Sequence, residues 1–270
     1  MDFATIGGLL LGFALITMVM IMDGGSPAEL FTAPQAIVLT MGGALIATII
    51  SYPLKSLPEI PKWFKAAFFS KSTDVAGMID TLTKMSDKAR REGLLALEEE
   101  SKKLEDEFLR KGIMMVVDGV DPSQVRSIMH IEIEHMRERH AQGINFFTAA
   151  GGYGPTMGII GTVMGLISVL QELDNPGELG HSIAVAFLAT LWGILSANLI
   201  WLPLAGKLRA NSETEAAFRE LVMEGVLSLQ AGENPRVVKE KLLAFLPPKR
   251  RAAAGGAEGE PAGQKAKAQA

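Results

Sequence analysis

Residues 144–170 read INFFTAAGGYGPTMGIIGTVMGLISVL and residues 181–204 read HSIAVAFLATLWGILSANLIWLPL. Both runs are apolar and uncharged, and a helix needs about 20 such residues to cross roughly 30 Å of hydrocarbon. Two more runs of this kind occupy 3–22 and 34–51, the second shorter and interrupted by Gly42 and Gly43. No Lys or Arg occurs in 1–54 or 140–206; all of them lie in 55–139 and 207–270. Water gives no reason to sort charge this way, whereas a bilayer does, because loops near span ends keep Lys and Arg on the cytoplasmic side.

The same rule orients the chain. Connectors 23–33 and 171–180 carry Asp23, Glu29, Glu172, Asp174 and Glu178 and no positive charge. Lys55, Lys62, Lys65, Arg126, Arg137, Arg139, Lys207 and Arg209 flank the opposite ends. Both short connectors are therefore expected outside, and both termini in the cytoplasm. The first run lacks a basic n-region and is too long for a signal-peptide core, so it is expected to stay as the first span.

The predicted fold is an all-α integral membrane protein. Transmembrane helices 1 and 2 fall in 1–54, a cytoplasmic helical domain in 55–143, transmembrane helices 3 and 4 in 144–206, C-terminal cytoplasmic helices in 207–246 and a disordered tail in 247–270. Between the hairpins, 61–69 reads as a helix lying on the membrane surface, with Trp63, Phe64, Phe68 and Phe69 dipping into lipid and Lys62 and Lys65 toward phosphates. Helices are predicted over 74–91, over 94–117 after a break at Gly93, and from Asp121-Pro122, an N-cap followed by a first-turn proline, to 142. A further helix covers 207–230, and Asn234-Pro235 starts a last one ending at Phe245.

Several function classes drop out. The chain has no cysteine, hence neither a disulfide framework nor a thiolate metal site. Its net charge of −4, with basic residues scattered rather than gathered into an aromatic-interleaved stripe, argues against nucleic acid. His130, His135 and His140 are spaced five apart, about 140° off one helix face, which argues against a metal site. No nucleophile, phosphate loop or acid/base pair points to enzymatic turnover or to a cofactor.

Within the four runs there is no Asp, Glu, Lys or Arg, although ion carriers ordinarily place such residues in the membrane. The runs offer instead small residues (Gly158, Gly161, Gly165, Ala186, Gly193), the prolines Pro155 and Pro203, and hydroxyls. Such helices suit close packing on other helices. Thr162 stands nine positions before Gln171, and Thr190 nine after His181, so both lie about 13 Å in from the outside. Antiparallel neighbours would bring them together, while a membrane threonine can equally bond its own helix carbonyl. Pro155 reads either as a plain kink or as a kink beside an ion path.

The segment Gly154-Pro155-Thr156-Met157-Gly158-Ile159-Ile160-Gly161-Thr162-Val163-Met164-Gly165-Leu166 resembles the MotA/PomA family of flagellar stator subunits. So do Ala189-Thr190-Leu191-Trp192-Gly193 with Pro203, Arg90-Arg91-Glu92-Gly93-Leu94-Leu95-Ala96-Leu97-Glu98, and Asn234-Pro235-Arg236-Val237-Val238. The resemblance implies a homopentameric ring around two single-span MotB or PomB partners, whose membrane Asp carries the coupling ion and so supplies the carboxylate missing here. It implies ion flow converted into torque on the rotor protein FliG. Pro155, Pro203 and Thr190 match the family's ion-path positions, joined by Thr162, which sodium-type members carry. Arg90 and Glu98, with Arg91 and Glu99 beside them, match its rotor-contacting charges. Ala33 stands where PomA-like members have an Asp, which leaves the ion as sodium or proton.

From the residues alone, Arg90 to Glu99 could be no more than a solvated helix face. An ExbB/TolQ-like proton-driven energiser is an alternative, although that group lacks the first hairpin. A stand-alone secondary transporter is another; inverted repeats and unwound spans around a polar midplane site would mark it, and neither is visible.

Overall fold

The structure is a computed structural model that describes residues 3–69, 74–171, 176–248 and 251. Among the described residues every regular element is helical. Most of the expected tail 247–270, and the tip 172–175 of the second outer connector, lie outside the described residues. The chain divides into two compact units, 1–71 with 138–212 and 72–137 with 213–270.

The first unit contains helix α1 (Phe3–Met22), a 3-10 turn (Pro27–Phe31), α2 (Pro34–Ile37), a π turn (Val38–Gly42), α3 (Gly43–Ile50) and α4 (Ile60–Phe68). It also takes the later part of α8 (Pro122–Gln171), then α9 (Pro176–Ser196), a second π turn (Ala197–Trp201) and the start of α10 (Leu202–Gln230). Among the described residues three helices are long and apolar enough to cross a membrane, and Pro34–Ile50 is a shorter apolar one.

Both π turns have local causes. Thr40 Oγ1 bonds back to Ala36 O at 2.8 Å, competing with the main-chain ladder. Asn198 Nδ2 donates to Ile194 O at 2.9 Å, and Pro203 lacks the N–H that Leu199 O would accept. The ladder opens by one residue where its acceptors are taken.

The helix expected over 61–69 is present as α4, and three of the four aromatics named for it pack on the chain itself. Trp63 lies 5.5 Å from Phe146, Phe64 lies 4.9 Å from Phe147 between ring centroids, and Phe68 joins the same cluster. Of the four aromatics only Phe69 remains exposed. Gly143 opens the way, because a Cβ there would stand 3.0 Å from the Trp63 ring. Periodicity reports that α4 has an apolar face, and not whether protein or lipid covers it.

Helices α8 and α9 touch backbone to backbone. A Cβ on Gly158 would fall 2.9 Å from Ala189 O, one on Gly193 2.7 Å from Gly154 O, and one on Gly165 2.7 Å from the Ala186 Cβ. Glycine costs helix propensity, and here that cost is offset by dispersion contacts along a seam no larger residue could enter.

The second unit has an ordinary hydrophobic core built by α5 (Val75–Glu92), α6 (Leu97–Ser101), α7 (Glu107–Val117), the beginning of α8, the end of α10 and α11 (Pro235–Leu243). Leu82, Leu97, Ile113, Val125, Ile133, Val226 and Leu242 are fully buried at helical spacing. Asp74 caps α5 through Gly77 N at 2.9 Å, and Asn234 caps α11 through Arg236 N at 3.0 Å. Gly93 ends α5 with φ 86°, a conformation that side chains disfavour. The predicted single helix 94–117 is instead a 3-10 turn (Leu94–Ala96) followed by α6 and α7. Asp106 is the reason: it accepts from Leu109 N at 2.8 Å and so starts a new helix mid-run. The segments 122–142 and 144–170, read separately, are one helix.

Ion pairs tie this unit's helices: Lys241 to Glu224 at 2.6 Å, Arg137 to Glu220 at 2.7 Å and Lys111 to Glu132 at 2.6 Å. The Lys241 ammonium, donating to Glu224, holds that carboxyl below its ordinary 4.5 despite the opposing effect of burial. A depressed carboxyl contributes stability that is full above its unfolded value and lost as pH falls through the folded one.

Glu224→Gln should therefore lower stability by about 1 kcal/mol at pH 7, with the gap to wild type closing below pH 4.5 when thermal unfolding is followed in detergent. Gly193→Ala should be worse, by about 1–3 kcal/mol, because its Cβ meets main chain that cannot step aside. Gly7→Ala, whose Cβ would meet open space, should melt like wild type in the same assay.

Candidate functional site

The glycine seam decides which polar atoms of α8 and α9 can meet. Thr162 and Thr190 hydroxyls are in hydrogen-bond contact across it. Thr162 Oγ1 also lies 3.1 Å from Gly158 O in its own helix and 3.0 Å from Ala186 O in α9. Both readings of Thr162 therefore hold at once: it bonds its own helix and it reaches across. A hydroxyl has one proton, so Thr162 can donate to only one of these oxygens. Two hydroxyl and two carbonyl oxygens converge on one point, half-buried and without charge.

Two other hydroxyls near the seam stay local. Thr156 donates to Tyr153 O at 2.8 Å and Ser196 to Gly193 O at 3.0 Å. Pro155 is half-buried, and α8 continues through it, leaving Gly151 O without its usual donor. Pro203 is exposed in the first turn of α10, directly after the second π turn. Beside the hydroxyl pair, Ile159, Val163, Leu166, Ile167 and Leu170 form an exposed stripe along α8. No described residue of the chain covers it.

The second unit carries the charged candidates. Arg90, in the last turn of α5, is exposed and has no ion-pair or hydrogen-bond partner among the described residues. Arg91 pairs with Asp87 at 2.9 Å, whereas Glu98 and Glu99 share Lys102 at 3.2 and 3.6 Å. Arg90 and Glu98 are thus not partners of each other. What joins the two segments is Lys88 to Glu100 at 2.8 Å, a contact that sequence reading missed because it spans the Gly93 break. That bond raises the Lys88 ammonium pKa and lowers the Glu100 carboxyl pKa.

Two further contacts escaped the sequence reading. Lys207 Nζ donates to Thr5 Oγ1, tying α10 to α1, and Trp192 Nε1 donates to Leu30 O at 2.8 Å. The Trp192 contact had a signal available, since an indole N–H in an apolar helix needs an acceptor. His140 Nδ1 lies 3.0 Å from Ser212 Oγ. No group of three His, Asp or Glu side chains among the described residues is placed to hold a metal ion.

Residues 100–221 match the MotA/TolQ/ExbB proton channel family. The chain is 40% identical to motility protein A of Bacillus subtilis, over 93% of either chain. It superposes on the structure of C. jejuni MotAB with a TM-score of 0.89 at 32% identity, covering 93% of this chain and 99% of that one. The flagellar MotAB stator complex from Bacillus subtilis gives 0.85 at 40% identity, covering 92% and 98%. With that likeness extending well beyond the matched segment, through both units and the first hairpin, the chain belongs to the MotA/TolQ/ExbB proton channel family, among the MotA-type members.

Proposed function

We propose that the chain is a flagellar motor stator subunit which, with a MotB/PomB-type single-span partner, forms an ion channel that converts transmembrane ion flow into torque on the rotor. The observation that carries this reading is the Thr162–Thr190 oxygen cluster, beside an uncovered apolar stripe and without a carboxylate of its own. A conducting site of this kind needs an acidic group from elsewhere. A partner helix seated on the stripe would bring its Asp to these oxygens. Relatives described as MotAB complexes support that division of labour.

In this reading the helices within 1–54 and 144–206 span the bacterial inner membrane as four spans, with 55–143 and 207–246 in the cytoplasm. Five copies surround two partner spans. The coupling ion is sodium or a proton; Thr162 favours sodium, a hard cation that takes oxygen ligands, because it adds one that a proton would not need. Ala33, buried at the start of α2, leaves no outer-loop carboxylate there. Pro155 and Pro203, each of which removes a ladder hydrogen bond, mark where the helices bend as the site fills and empties. Arg90, Arg91, Glu98 and Glu99 present both signs of charge to FliG, a pattern that orients a partner as well as attracting it.

The topology is tested by single cysteines in this cysteine-free chain. One at Ser26 should react with a membrane-impermeant maleimide in intact cells and one at Ser127 should not; labelling at 127 would overturn the orientation. The function is tested by ion flux and motility. The chain alone should conduct negligibly and should conduct with its partner present, and Thr162→Ala should abolish sodium-driven swimming. Flux from the chain alone would refute the shared site, and Thr162→Ala cells swimming at a speed indifferent to sodium would assign the path to protons.

A further inference from the structure

Trp192 is 5% exposed on α9. It stands two positions after Thr190, about 200° around the helix. While Thr190 faces the seam, Trp192 faces α1 and the outer connector. There its Nε1–H donates to Leu30 O at 2.8 Å, and its ring lies 5.7 Å from Phe31 and 6.4 Å from Phe13 between centroids. Leu30 is itself buried in the 3-10 turn Pro27–Phe31, which is pinned by a capping box between Ser26 and Glu29, the Ser26 N–H donating to Glu29 Oε1 at 3.1 Å.

The seam on the opposite side is made of small residues, which leave no room for a larger side chain to turn in but do not interlock. Within that close contact α9 is free to slide along α8 or to turn slightly, and either shift carries Thr190 off Thr162. An indole hydrogen-bonded on the far side removes that freedom. Breaking its bond would leave a buried N–H and a buried carbonyl without partners in an apolar setting, which is costly.

We propose that Trp192 is a positioning residue for the hydroxyl pair, bolting α9 to the outer turn at Leu30 so that Thr190 stays against Thr162. Its relevance to ion passage rests on the proposed function above, but its geometric action does not. The outer turn thereby becomes part of the site's support although it contributes no atom to it.

The test uses the full chain co-expressed with its partner in native membranes. With Thr162→Cys and Thr190→Cys introduced together, mild oxidation by copper–phenanthroline should form an intramolecular disulfide, and its rate reads how often the two positions meet. Adding Trp192→Phe, which keeps a ring and removes the donor, should slow it about fivefold, the effect of one lost neutral hydrogen bond. Glu29→Ala, which loosens the turn carrying the acceptor and leaves Trp192 intact, should slow it about twofold. Unchanged rates in both variants, at wild-type membrane levels, would overturn the proposal. A separate arm follows motility against external sodium: Thr190→Ala leaving that dependence unchanged would defeat the ion-path reading while the cross-linking result still decides the role of Trp192.

Discussion

The closest constraint in the first unit is the contact of two backbones. Where α8 and α9 meet, Gly154, Gly158 and Gly193 leave no space for even one methyl group, and Gly161 and Gly165 meet Ala189 and Ala186 at the same closeness. Between apolar helices in lipid there is little hydrophobic drive to associate, because lipid tails are as apolar as leucine. Association then depends on surfaces that fit, and the tightest fit comes from side chains that are hardly there. Everything polar in this region follows from that approach: only at such a distance can a threonine hydroxyl reach the partner helix's hydroxyl and its carbonyl together.

Polar groups in this unit are few and almost all have a named acceptor. Thr40, Thr48, Thr156 and Ser196 bond carbonyls of their own helices, and Trp192 takes a carbonyl of the turn Pro27–Phe31. Trp201 is an exception: its Nε1 is buried among Phe64 and Phe147 with no partner among the described residues. It ends the second π turn, where the ladder is already open.

The second unit is built on a different pattern. Its core is Leu, Ile, Val, Met and Phe buried at helical spacing, with Arg219 laid over Phe108 at 5.1 Å, and charge is spent on cross-helix pairs such as Lys241 with Glu224. Against that background Arg90 stands out, exposed and without an ion-pair partner among the described residues, because its neighbours Lys88 and Arg91 are both engaged.

Much of this was legible in the chain itself. The exclusion of Lys and Arg from 1–54 and 140–206 marks the apolar helices, since a bilayer sorts charge whatever the packing. Capping residues at Asp74, Asp121 and Asn234 mark helix starts, because they act within a few residues of themselves. Equal depth put Thr162 and Thr190 within reach of each other. Asp106, which splits 94–117 by capping Leu109 N, acts just as locally and was overlooked. Tertiary structure alone decided that α8 and α9 pack face to face so that they touch, that the α4 aromatics turn toward Phe146 and Phe147, and that Trp192 finds Leu30. Each of these depends on a partner far away in sequence or on a choice between two acceptable environments. Periodicity names a buried face, but the surface that buries it is set by the chain's return path, which local spacing does not encode.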